Sequence, residues 1–143
     1  MLSTVDKVLL LMRAGVTADA TTDALSRLAG AAQEVESGRG DVLYRNGEEP
    51  RSLFIILDGV VRIDMDGTPS RLAEPGDWAG AVPLITGGPH QGTATVLVAS
   101  HLLRIDRADF EELLDEDGEL ARALMAGLLR ALTALIPTAI EAA

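Results

Sequence analysis

The residues able to do chemistry are few and widely spread. His90 and His101 are the two histidines, and neither has a second histidine beside it. A cupin-like metal enzyme would need clustered histidine and carboxylate ligands, and the chain has no cysteine to add thiolates. No Ser-His-Asp arrangement, Walker-type phosphate loop or metalloprotease helix motif occurs, so a catalyst is not expected. What remains is anion recognition by isolated groups. His90 sits in a glycine-rich loop and could donate to an anion when protonated, although its ordinary role there is that of a solvated loop histidine. Arg51 and Arg71 precede a strand and a Pro-Gly turn, and read first as surface charges. Trp78, the single tryptophan, reads first as core packing. Asp115-Glu116-Asp117 is a charge run that suits the solvated end of one helix and the cap of the next.

The elements that must hold these groups follow from periodicity and turns. Ser3 followed by Asp6 is a capping-box pattern, and Val5, Val8, Leu9 and Met12 recur at helical spacing up to Gly15. Thr17 is the expected cap of a second helix over 18–31, with Leu25 and Leu28 inward. After Ala32 the texture becomes β-like. Runs at Asp41–Tyr44, Leu53–Leu57, Val60–Met65, Thr93–Ala99 and Leu102–Ile105 alternate with turns at Gly38–Gly40, Asn46-Gly47, Asp58-Gly59, Asp66-Gly67 and Pro75-Gly76. Such spacing predicts a rolled antiparallel sheet. Helix then returns, capped by Asp106 over Phe110, Leu113 and Leu114. A longer helix starts at Asp117 and carries Leu120, Leu124, Leu128, Leu132 and Leu135, until Pro137 weakens or ends it.

The turns have a particular order: Gly40-Asp41-Val42-Leu43-Tyr44, Asn46-Gly47-Glu48, Leu53 through Val61, Pro75-Gly76-Asp77-Trp78-Ala79-Gly80, Thr93-Ala94-Thr95-Val96 and Leu102 through Asp106. In that order and spacing, from about Leu2 to Leu135, the chain resembles the cyclic nucleotide-binding domain family. The resemblance implies a mainly β fold, an antiparallel jelly-roll-like β-roll with flanking helices. One domain over 1–143 is expected, with N-terminal helices at 1–31, the roll at 32–105 and C-terminal helices at 106–143. It also implies a non-catalytic regulatory module.

In that family a short helix after the Pro-Gly-Asp turn presents backbone N–H groups to the cyclic phosphate, as helix N-termini favour anions. A glutamate beside the helix glycine accepts from the ribose, and an arginine about ten residues on pairs with the phosphate. Carried over by position, the pocket here is Gly80, Ala81, Val82, His90, Gln91, Gly92, Thr93 and Ala94. Gly80 matches the helix glycine, and Thr93 and Ala94 the small residues after the arginine. Ala81 replaces the glutamate, and the arginine position falls on uncharged Gln91 or Gly92. Losing a desolvated charge partner costs on the order of 2–5 kcal/mol, very roughly a thirtyfold to several-thousandfold loss of affinity. Tight binding of cAMP or cGMP is therefore not favoured. The N–H groups of Gly80 to Val82 remain for another small anion, and no cofactor is assigned.

Twelve basic against 22 acidic residues give a net charge of −10, with Lys7 the only lysine. That balance opposes direct nucleic-acid binding. A DNA-binding regulator of the catabolite-activator type would also need a recognition helix after the long C-terminal helix. No apolar run reaches the roughly 20 residues of a membrane span, and no signal peptide is visible, so a cytoplasmic setting is expected. The favoured setting is a regulatory domain of a larger protein. The runner-up is a cyclic-nucleotide-responsive domain of a transcription factor, transporter or channel, and a cupin-like enzyme comes last. The wide apolar arc of the C-terminal helix suggests contact with a host domain or a second copy through Leu124, Leu128 and Leu132.

Overall fold

A computed structural model describes residues 1–135, with side chains described through residue 131. Helix α1 (Thr4–Arg13) opens on the expected capping box: Ser3 Oγ accepts from the Asp6 amide at 3.1 Å, and the Asp6 carboxylate accepts from the Ser3 amide at 3.0 Å. Its inward face is Val8 and Leu11; Val5, Leu9 and Met12 are exposed, which corrects the phase expected for this helix. Thr17 is also reassigned. It belongs to a 3₁₀ turn (Gly15–Thr17), where its buried hydroxyl donates to the carbonyls of Leu11 and Ala14. The cap of α2 (Thr22–Ala31) is Thr21, whose side chain accepts from the Ala24 amide at 3.2 Å. Leu25 and Leu28 face the core as expected.

Six antiparallel strands follow: β1 (Ala32–Ser37), β2 (Val42–Tyr44), β3 (Ser52–Asp64), β4 (Arg71–Ala73), β5 (Trp78–Ala79) and β6 (Thr93–Asp106). Their order is β1-β6-β3-β4, with β2 on β6 and β5 on β3. β3 and β6 carry the roll, paired from Ser52↔Asp106 to Asp64↔Thr93. Each merges two runs that the turn pattern had separated. Asp58-Gly59 does not reverse the chain; the register shifts between Ile56 and Val61 and β3 bends there. Gly59 has φ 103°, and a Cβ on it would lie 2.6–2.7 Å from Ser100 Cβ and Cα, so the bend needs glycine twice over.

Both faces of the central strands are buried. Leu53 and Ile55 of β3, with Leu103 and Ile105 of β6, meet Leu11, Leu25, Leu28, Phe110, Leu120 and Leu124 of the helices. The alternate residues Phe54 and Ile56 meet Val61, Ile63, Ala94, Val96 and Leu102 inside the roll. Burial on two sides explains the unbroken apolar run Leu53–Leu57.

The C-terminal helices are α4 (Arg107–Glu116) and α5 (Gly118–Leu135). Asp106 precedes α4, but its carboxylate does not cap it. It accepts from Ser52 Oγ at 2.9 Å and pairs with Arg104 at 3.2 Å. Asp117 does cap α5, accepting from the Leu120 amide at 3.0 Å. The expected contact face of α5 needs correction. Leu124 is fully buried in its own chain, and Leu128 packs half-buried against the same cluster. The side chains of Leu132 and Leu135, and Ile136 and Pro137 altogether, lie outside the described residues. Among the described residues, the large exposed apolar side chains on α5 are Met125 and Leu129, at 52% and 59% exposure. Leu124→Ala is accordingly expected to cost about 2–5 kcal/mol as a core cavity. A denaturant midpoint unchanged by it would place Leu124 outside the core.

Candidate functional site

The segment matched to the ligand pocket begins where β5 ends. Gly80 stands at the cap of α3 (Ala81–Thr86) with φ 85°, a left-handed conformation that admits glycine readily. Ala81 and Leu84 are buried, Val82 is exposed, and α3 closes on Gly87 through a bond from its amide to Pro83 O at 2.9 Å. The loop 88–92 then leads into β6.

His90 is not a solvated loop residue. It is 3% exposed, and its ring stacks on Tyr44 with centroids 3.9 Å apart and planes 10° from parallel. Both rings reach Gly80: a Cβ there would lie 3.2 Å from Tyr44 Cε2 and 3.3 Å from His90 Cε1. The pair therefore covers the start of α3. The His90 amide donates to Glu48 O at 2.9 Å, and the Gly47 amide donates to His90 O at 2.8 Å. Thr93 Oγ1 accepts from the Asn46 amide at 3.0 Å. These bonds tie the 88–93 segment to the turn after β2. Burial holds the His90 imidazole below its ordinary pKa, with Glu48 pulling the other way. Burial raises the Tyr44 phenol, opposed by the nearby Arg71 charge.

The remaining positions diverge. Gln91 is exposed. Gly92 is buried, and a Cβ on it would lie 2.9 Å from both Asp64 O and Met65 Cγ. Ala94 is fully buried within the roll. The structure thus brings Gly80 and His90 together with Tyr44, leaves Gln91 and Val82 at the surface, and closes the space at Gly92. Of the proposed substitutes, Arg71 is near enough for its charge to act on the Tyr44 phenol, and Arg51 is exposed. Trp78 is buried as expected, and its indole N–H has no acceptor among the described residues. His101 is remote from His90 in role: its Nε2 lies 3.2 Å from Glu34 Oε2 across β1 and β6.

Tyr44 is the residue whose part in the site was missed. Its signals were that it is the only tyrosine and that it ends a strand before Asn46-Gly47. Two concavities stand out among the described residues, and neither is lined by residues 80–94. One, of about 280 Å³, lies between the start of α2 and α5; the other, of about 450 Å³, is lined by Glu36, Ser37, Asp58, Ser100 and His101 among others. Among the described residues no helix is long and apolar enough to cross a membrane.

A roll with this strand order, closed by helices and carrying a short helix after a Pro-Gly-Asp turn, defines a regulatory ligand-binding class of domain. The model of the cyclic nucleotide-binding domain matches residues 34–117, more than half of the chain, and the chain belongs to that family. A CRP-like cAMP-activated global transcriptional regulator of Mycobacterium tuberculosis is 27% identical over 128 residues, covering 86% of this chain and 57% of the regulator. The chain thus spans little more than half the length of that relative. Among solved structures, the N-terminal domain of a transcriptional regulator from Streptomyces coelicolor A3(2) matches with TM-score 0.70 and 24% identity, over 90% of this chain and 96% of that one. The regulatory subunit of a cAMP-independent protein kinase A from Trypanosoma brucei gives 0.74 and 20%, over 91% and 47%. The regulatory domain of Toxoplasma gondii PKA, crystallised with cAMP, gives 0.75 and 16%, over 89% and 50%. These likenesses establish the β-roll with flanking helices.

Proposed function

We propose that this chain is a non-catalytic regulatory module of a larger cytoplasmic protein, and that its nucleotide site is closed to cAMP and cGMP. The observation that carries the reading is the buried Tyr44–His90 stack lying against Gly80. Where the family presents a helix N-terminus to a cyclic phosphate, this chain presents two rings. Ala81 offers no acceptor for a ribose hydroxyl, and Gly92 has no room for a guanidinium. The relatives leave the point open. One is named as cAMP-activated, one was crystallised with cAMP, and one belongs to a kinase described as cAMP-independent. Isothermal calorimetry at neutral pH decides it. No saturable heat is expected for either nucleotide at micromolar concentration. A dissociation constant near or below a micromolar would instead support a cyclic-nucleotide-responsive regulator, the reading that the 27% identical relative favours.

A further inference from the structure

We propose that His90 is a proton-operated latch, which holds the 87–92 loop over Gly80 when neutral and releases it when protonated. The inference rests on the reading of 80–92 as the ligand segment only for what the latch uncovers; the latch itself is read from geometry.

The imidazole is packed as a neutral ring. It lies flat on Tyr44, it is almost wholly buried, and neither ring nitrogen has a hydrogen-bond partner among the described residues. An imidazolium in that place would lose most of its hydration, which disfavours the charged form. The surrounding charges do not rescue it. From β2 the facing group is the Tyr44 phenol, kept neutral by burial. From the turn after β2 it is Glu48, which attracts a proton but is shared with Arg45 at 3.9 Å. From β4, the positive charge of Arg71 acts on the Tyr44 phenol. From α3 the neighbour is Gly80, and the Ser52 carbonyl of β3 lies near that glycine; neither titrates. Water is the better solvent for a protonated His90.

The way out is short. Gly87, at φ 84°, and Gly88 precede Pro89 and His90, so the loop has its pivot next to the latch. Leaving breaks two main-chain bonds, His90 amide to Glu48 O and Gly47 amide to His90 O, and uncovers Tyr44 and Gly80. The sign follows from linkage. The closed form binds a proton less well than the open form, so closure is complete above the ordinary imidazole value and weakens as pH falls through it. One proton changes the ratio by at most about tenfold per pH unit.

Amide hydrogen exchange of the ligand-free chain tests this. Protection at His90 and Gly47, corrected for intrinsic exchange, is expected to fall by up to about tenfold per pH unit between about pH 6.5 and 5. Amides of the β3–β6 ladder should keep theirs. His90→Phe, which keeps a flat buried ring without a proton site, should lose the pH dependence, and His101→Gln should retain it. In unaltered protein the His90 ring protons should titrate below the ordinary imidazole range. pH-independent protection at Gly47 and His90, an equal fall in His90→Phe, or titration of His90 at or above the ordinary value would each overturn the latch. None of these readouts involves nucleotide, so they stand apart from calorimetry at neutral pH, which tests the closed site.

Discussion

Gly127→Ala is expected to destabilise the chain by roughly 3 kcal/mol, lowering the thermal midpoint on the order of 10 °C. Gly127 lies inside α5, where alanine would ordinarily add about 1 kcal/mol of helix propensity. The sign is reversed by what lies opposite. A Cβ on Gly127 would fall 2.6 Å from the Val16 carbonyl carbon and 2.7 Å from its Cα. Both are backbone atoms of the 3₁₀ turn, which Thr17 holds to the end of α1 by its hydroxyl. On the other side, α5 is pinned by fully buried Leu120 and Leu124. Neither partner can give by the ångström required. Gly30→Ala in α2 is the control: a Cβ there meets nothing within 4 Å, and the same substitution should stabilise by up to about 1 kcal/mol. Circular dichroism melts of the two variants should move in opposite directions. Equal shifts would mean that α5 does not cross the turn at Gly127.

This helix crossing shows where the sequence could be read and where it could not. The apolar runs of β3 and β6 were legible because they are long and carry β-branched residues, and the start of the roll at Ala32 coincides with the end of α2. Asp58-Gly59 looked like a hairpin because a bulge and a turn make the same local demand on glycine. Only the pairing of Asp58 with His101 separates them, and that contact is non-local. β4 and β5, of three and two residues, exist because β3 offers an edge, not because of their own pattern. In the run Val8–Met12 every residue is apolar, so periodicity does not separate Leu9 from Leu11 as the inward side chain of α1. The wide apolar arc of α5 shows that two sides are covered without naming which side meets the core, so the inward place of Leu124 is set by tertiary packing. The site divided the same way. Ala81 and the missing arginine were visible as residue types, whereas the burial of His90 depends on a tyrosine 46 positions earlier.

The missing arginine invites a repair, and the repair is expected to fail. By residue type alone, Ala81→Glu with an arginine at 91 or 92 restores both lost contacts. Gln91 is exposed, so Gln91→Arg should fold within about 0.5 kcal/mol of the unaltered chain and gain no affinity. Gly92→Arg meets the roll. Its Cβ would lie 2.9 Å from Met65 Cγ, 2.9 Å from Asp64 O and 3.4 Å from Ile63 Cγ2. Met65 is partly exposed and can swing aside. The Asp64 carbonyl cannot, because Asp64 is paired with Thr93 at the end of the β3–β6 ladder. The Asp64 carboxylate is also engaged, by Arg62 at 2.9 Å and by Ser70, so it does not stand ready to receive a new guanidinium. Overpacking against backbone and an incompletely paired charge together should cost about 3 kcal/mol or more. The His90–Tyr44 stack would still cover Gly80 in the double variant. Chemical denaturation should therefore show Ala81→Glu with Gly92→Arg markedly less stable than the unaltered chain, and calorimetry should show no micromolar binding of cAMP. A stable double variant that binds cAMP at micromolar concentration would mean that residue identity alone had closed the site, and that packing at Gly92 and His90 yields to the ligand.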